Sequence, residues 1–163
     1  MFDPETLALA ESVLRACRVR DWRLATAESC SGGLVAAALT AIPGASDVVD
    51  RGFVTYSNAA KRELLGVPAE TIEAHGAISR EVAAAMATGA VVRAGVDLAV
   101  SVTGIAGPGG GTSDKPVGLV CLGLALKDGT VRIEHRLFPG DRAQVRQQAV
   151  TLALELLQQV AAG

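Results

Sequence analysis

The chain has 163 residues, half of them hydrophobic, which fits one compact domain with a sizeable core. Aromatics make up only 3%, so that core is built from Ala, Val, Leu and Ile. The net charge of -2 leaves no electrostatic footprint for nucleic acid, and no apolar run approaches the ~20 residues of a membrane helix.

Asp3-Pro4-Glu5 reads as an N-cap followed by proline in the first turn of a helix. Glu5 to Val19 carries Leu7, Leu9, Val13, Leu14 and Cys17 at roughly helical spacing. This acidic, amphipathic start is unlike a signal peptide. A strand is predicted over Arg23–Ala27, then a turn, then a helix of small residues to about Thr40, broken by Ile42-Pro43-Gly44. Val48–Tyr56 is rich in strand formers. Ser57–Leu65 reads as a short helix stopped by Gly66 and Pro68, and Ala69–Ala74 as a helical turn or two. Ser79 opens a long Ala-rich helix to about Ala94, and Asp97–Thr103 is a buried strand. A glycine- and proline-rich loop spans Gly104–Gly118. Val117–Leu126 and Val131–Phe138 then flank Lys127-Asp128-Gly129-Thr130, a hairpin signal. The last helix starts at Gly140-Asp141 and runs to about Ala161. Early alternation of strand and helix, followed by a hairpin, predicts an α/β fold. The form expected is a three-layer α/β/α sandwich with a mixed, mostly parallel sheet, in one domain over residues 1–163. Three cysteines, Cys17, Cys30 and Cys121, lack metal-type spacing, and a reduced, cytoplasmic protein is expected.

Four stretches carry chemistry. In TAESCSGG, Thr26 to Gly33, a strand feeds a helix whose first N–H groups are free to hold an oxyanion. Ser29, Cys30 and Ser31 are candidate nucleophiles there. The plainer alternative makes Ser29 or Ser31 an N-cap and the glycines close-packing residues. The stretch is not a G-x-S-x-G elbow. In GFVTYSNAAK, Gly52 to Lys61, a desolvated Lys61 near a hydroxyl can act as a general base, beside Tyr56. A surface lysine and a core-edge tyrosine are the plainer alternative. Neither His75 nor His135 sits in a convincing motif, so lysine is the better base candidate. In VTGIAGPGGGTSDKPVG, Val102 to Gly118, five glycines among eight residues (Gly104 to Gly111) expose backbone N–H groups suited to an anion. The pattern lacks the Walker lysine, and a flexible turn is its alternative. In FPGDRAQVRQQA, Arg142 and Arg146 share a helix face. Together they hold a carboxylate or phosphate, or else form a solvated face or a subunit contact. Glu28 either orients the lysine or caps.

Taken in order, TAESCSGG, RGFVTYSNAAK, HGAISREVA, VTGIAGPGGG, KPVG and GDRAQVR resemble the CinA C-terminal domain family, over nearly the whole chain. That family includes stand-alone nicotinamide mononucleotide deamidases. The resemblance implies an α/β/α domain that hydrolyses the nicotinamide carboxamide to nicotinate mononucleotide and ammonia, in pyridine nucleotide recycling. Many members carry an N-terminal domain resembling molybdopterin-binding proteins, with no counterpart in these residues. Ser31 stands where the family motif usually has threonine, so the hydroxyl is kept but Ser31 is a poorer nucleophile candidate. The resemblance carries the nucleophile to Ser29, with Tyr56 and Lys61 completing a serine-lysine site. Lys61 then takes the Ser29 proton directly or through Tyr56, and the N–H groups of Cys30–Gly33 hold the oxyanion. Substrate contacts are expected from Cys30, Ser31, Gly32, Gly33, Thr103, Gly104, Ile105, Ala106, Gly107 and Arg142, with the ribose-phosphate along Gly104–Gly111. No metal or cofactor is expected, and neither nucleic acid nor membrane is a partner. The assembly expected is a homo-oligomer, with a dimer favoured. The rival class is a non-catalytic nucleotide-binding module of the same family, which has no reason to keep Ser29, Tyr56 and Lys61 together. A cysteine hydrolase using Cys30 is a third possibility.

Overall fold

The computed structural model describes Met1–Gly163. Five strands form one mixed sheet in the order β2-β1-β3-β4-β5. They are β1 (Leu24–Glu28), β2 (Val49–Val54), β3 (Leu98–Gly104), β4 (Leu119–Leu126) and β5 (Val131–Leu137). β1 pairs in parallel with both β2 and β3. β4 runs antiparallel to β3 and to β5, the latter through the expected Asp128-Gly129 turn. The helices are α1 (Pro4–Val19), α2 (Leu34–Thr40), α3 (Asn58–Leu65), α4 (Ala69–His75), α5 (Arg80–Ala94) and α6 (Arg142–Ala162). No helix is long and apolar enough to cross a membrane.

Side-chain alternation along the strands builds two unequal cores. On one face Leu24, Leu98, Val100, Val102, Leu122 and Leu124 pack against α1, α2 and α6. The opposite face is paved with Ala25, Ala27, Ala99 and Ala125, so α5 lies close to the sheet. A Cβ on Gly123 would fall 2.5 Å from the Ala83 carbonyl of α5, and Ser101 Oγ donates to that carbonyl at 2.6 Å. Small residues on this face set the layer spacing, which larger side chains would push apart.

Most helix starts follow the sequence signals. Asp3 accepts from Thr6 N–H, Ser57 from Ala60 N–H and Ser79 from Val82 N–H. Asp141 and Gln144 close a capping box on α6. α2 departs from expectation. It begins only at Leu34, after a turn over residues 29–33, and its N-cap is Gly33 in the left-handed region at φ 99°.

The chain leaves β1 through α2 on one face to reach β2. It leaves β2 through α3, α4 and α5 on the other face to reach β3. The crossovers diverge at β1, so a crevice opens beyond the carboxyl ends of β1, β2 and β3. Ser29, Thr55-Tyr56 and the loop after Gly104 all emerge there.

Candidate active site

The crevice holds a cavity of about 310 Å³. Ser29 and Cys30 line it from the turn after β1, and Tyr56, Asn58 and Lys61 from the β2–α3 junction. Ala77 and Ile78 supply an apolar wall ahead of α5, and Thr103 Oγ1 ties that wall to the end of β3 by donating to Ala77 O at 2.9 Å. Gly104, Ile105, Ala106, Gly107, Gly109, Gly110 and Arg142 complete the lining.

Lys61 is 1% exposed, the largest of the fully buried side chains. It sits on the first turn of α3, which Ser57 starts, so the helix itself carries it beneath the end of β2. Nζ lies 3.1 Å from Ser29 Oγ, 3.0 Å from Thr55 O and 3.3 Å from Tyr56 O. A neutral amine has two N–H bonds and one lone pair. As an ammonium, Nζ has three N–H bonds for these three oxygens; as a neutral amine, two N–H bonds serve the carbonyls and the lone pair is left to face the Ser29 hydroxyl. Burial pushes the Lys61 pKa below its ordinary value, with the Cys30 thiol as the opposing influence. Burial also pushes the Cys30 thiol up to about 11, so at neutral pH it is uncharged and does not oppose. A thiol held that high is the reverse of an activated cysteine nucleophile.

Glu28 caps. Its carboxylate, 0% exposed, accepts from Ser31 Oγ at 2.7 Å, Val35 N–H at 2.9 Å, Ala36 N–H at 3.0 Å and Thr26 Oγ1 at 3.2 Å. This corrects two expectations. Neither Ser29 nor Ser31 is the N-cap of α2. The first α2 amides are also unavailable to an oxyanion: Leu34 N–H goes to Ser31 O, and Val35 and Ala36 go to Glu28. The amides without an acceptor are those of Cys30, Ser31 and Gly33, in the turn itself.

The structure gathers Ser29, Tyr56, Lys61, Cys30, Thr103, Gly104, Ile105, Ala106, Gly107 and Arg142 into one cavity, but Ser31, Gly32 and Gly33 do not line it. Ser31 turns its hydroxyl back to Glu28, and both glycines adopt positive φ to shape the turn. Tyr56 reaches Lys61 through its carbonyl only; its hydroxyl accepts from Arg142 Nη2 at 3.0 Å. Arg142 Nη1 also donates to Gly107 O at 2.9 Å, so one guanidinium bridges the β2–α3 junction and the glycine loop. Arg146 does not share this role and is no solvated residue: it bonds the carbonyls of Cys30 and Ser31. Asn58, Ala77 and Ile78 escaped the sequence reading as site residues, whereas Gly109 and Gly110 fall within the Gly104–Gly111 loop expected to meet the ribose-phosphate. HGAIS, residues 75–79 ending on the Ser79 cap, was the signal available for Ala77 and Ile78. No cluster of His, Cys, Asp or Glu is arranged to hold a metal ion.

Known proteins match most of the chain. Over 147 residues the chain is 52% identical to the nicotinamide-nucleotide amidohydrolase PncC of Enterobacter agglomerans, covering 90% of each. It is 55% identical over 140 residues to a CinA-like protein of Mycolicibacterium gilvum (strain PYR-GCK), and spans 33% of that longer protein's length. The crystal structure of the competence/damage inducible protein CihA from Agrobacterium tumefaciens superposes with a TM-score of 0.95 at 46% identity, covering 98% of both chains. The family model of the CinA C-terminal domain matches residues 6–161, a span that includes the turn after β1, α3 with Lys61, the glycine loop and α6 as far as Ala161: the chain belongs to the CinA C-terminal domain family.

Proposed function

We propose that the chain hydrolyses the carboxamide of nicotinamide mononucleotide, releasing ammonia and nicotinate mononucleotide, as part of pyridine nucleotide recycling. The observation that carries this reading is the buried Lys61 Nζ at 3.1 Å from Ser29 Oγ, facing a cavity of about 310 Å³. The name of the 52%-identical Enterobacter agglomerans relative supports the substrate.

Ser29 Oγ attacks the carboxamide carbon while its proton passes to the lone pair of Lys61 Nζ. The direct route is favoured, because the Tyr56 hydroxyl is engaged by Arg142. The carbonyl oxygen becomes an oxyanion facing the free amides of the Cys30 turn. Lys61 returns the proton to the departing nitrogen, ammonia leaves, and an ester remains on Ser29. Water then attacks that ester and gives a proton to Lys61, which restores the Ser29 hydroxyl as the acid departs. Ala77 and Ile78 face the pyridine ring. The phosphate lies against the amides of Ala106, Gly107, Gly109 and Gly110, which have no acceptor within the chain, and near the remaining N–H bonds of Arg142.

Residues 1–163 act as one domain in this reading, in the cytoplasm, where the three free cysteines stay reduced. The assembly is a homo-oligomer, with a dimer favoured. Ammonia release on incubation of the purified protein with nicotinamide mononucleotide tests the activity, and a protein that binds the nucleotide without turnover is a binding module instead.

A further inference from the structure

The turn after β1 is held at three consecutive carbonyl oxygens. Ser29 O accepts from Gly32 N–H at 3.0 Å. Cys30 O accepts from Arg146 Nε at 3.1 Å, and Ser31 O from Arg146 Nη2 at 3.2 Å. In a trans peptide the C=O and the following N–H point in opposite directions across one rigid plane. Holding Ser29 O therefore fixes the direction of Cys30 N–H, and holding Cys30 O fixes that of Ser31 N–H.

Neither amide has an acceptor within the chain, although Cys30 is 6% exposed and Ser31 is 0% exposed. Buried N–H groups without a partner are rare, because each has given up water for nothing. Two in succession lie directly after Ser29. The Arg146 guanidinium bonds two carbonyls and no carboxylate, so its charge polarises the peptide from the acceptor side and strengthens the Ser31 N–H as a donor. Gly32 makes this approach possible: at φ 62° it is left-handed, and a Cβ there would lie 3.2 Å from Arg146 Nη2.

We propose that Arg146 is the positioning residue of the oxyanion donors. From α6 it fixes the Cys30–Ser31 peptide directly, which aims the Ser31 N–H, and through Ser31 O it orients the Gly32 N–H that holds Ser29 O and so aims the Cys30 N–H; these two amides receive the developing negative charge. Arg142, one turn earlier on the same helix, faces the cavity, so the two arginines act on different atoms. The inference rests on Ser29 as the nucleophile.

The test compares Arg146→Met and Arg146→Lys with wild type in two assays. One gives kcat and KM for nicotinamide mononucleotide. The other gives the rate at which a fluorophosphonate labels Ser29, forming the Oγ–P bond, breaking P–F and releasing fluoride. Losing oriented oxyanion donors lowers kcat of Arg146→Met by about 100-fold, with KM within about threefold. Labelling slows in parallel. Arg146→Lys, which grips one carbonyl, recovers about tenfold of that loss and keeps the inference testable if the methionine variant does not fold. The proposal is overturned if kcat per labelled Ser29 stays within about threefold of wild type, if the loss lies in KM alone, or if lysine restores nothing over methionine. A wild type that is labelled but releases no ammonia rejects the deamidase reading, and the labelling rates still decide the role of Arg146.

Discussion

Lys61 Nζ lies 3.1 Å from Ser29 Oγ, and its other two partners are the backbone carbonyls of Thr55 and Tyr56. Burial lowers the lysine pKa, so the neutral base is populated below the ~10.4 of a free lysine. Activity therefore rises with pH along a limb that lies below that value. Lys61→Arg keeps the charge but supplies no neutral base, and it should be as inactive as Lys61→Met. An active arginine variant would show that the residue acts by charge alone.

The same shift sets a stability trend. Between the folded pKa and the higher unfolded one, the unfolded chain holds a proton that the folded chain lacks, so stability rises with pH across that window. Lys61→Met lacks that titrating group. Melting curves of the two proteins should diverge in favour of wild type as pH rises through the window, and parallel curves would contradict a neutral buried lysine.

Glu28 offers both oxygens to two donors each. In Glu28→Gln one oxygen becomes an NH₂ that faces donors, leaving buried groups unpaired at a cost of about 1–3 kcal/mol. Thermal melting should fall by about 2–4 °C for each kcal/mol in a chain of this size. Ser31→Ala loses a single donor and should melt nearer to wild type. A glutamine variant as stable as wild type would remove Glu28 as the cap of α2.

Tyr56 Oη accepts from Arg142 rather than from Lys61. Tyr56→Phe should thus leave the pH limb in place and mainly raise KM, as Arg142→Ala should. A kcat collapse of more than about 100-fold with unchanged KM would mean the phenol relays the proton after all.

Phosphate recognition is tested on the riboside and the nucleotide side by side. Remote binding energy positions the amide at Ser29, so nicotinamide riboside should lose turnover by orders of magnitude. Gly107 is a poor probe, because its φ is 85° and a Cβ would meet Val117 Cγ1 at 2.5 Å. Gly109 lines the cavity with nothing within 4 Å of an added Cβ. Gly109→Val should narrow the preference for nucleotide if the loop holds the phosphate. If only Arg142→Ala narrows it, the arginine carries the recognition. Equal turnover of the two substrates by wild type would reject both.

The layers, the hairpin and the caps at Asp3, Ser57, Ser79 and Asp141 were legible because each rests on a local pattern. What escaped depends on distance in space. Ser29 and Lys61 are 32 residues apart, and only the parallel pairing of β1 with β2 brings them together. TAES shows a glutamate near a helix, yet its carboxylate reaches seven and eight residues ahead to cap α2, beyond the reach of the short-range cap rule. Arg142 and Arg146 look alike on one helix face. Their separation into a cavity residue and a carbonyl clamp follows from how α6 crosses the turn after β1.

The central claim is that Ser29, served by Lys61, opens the carboxamide. Ammonia released from nicotinamide mononucleotide, measured for folded wild type and folded Ser29→Ala at equal concentration, tests it most directly. Steady release by wild type and none above background by Ser29→Ala is the predicted result; undiminished release by the alanine variant would contradict it.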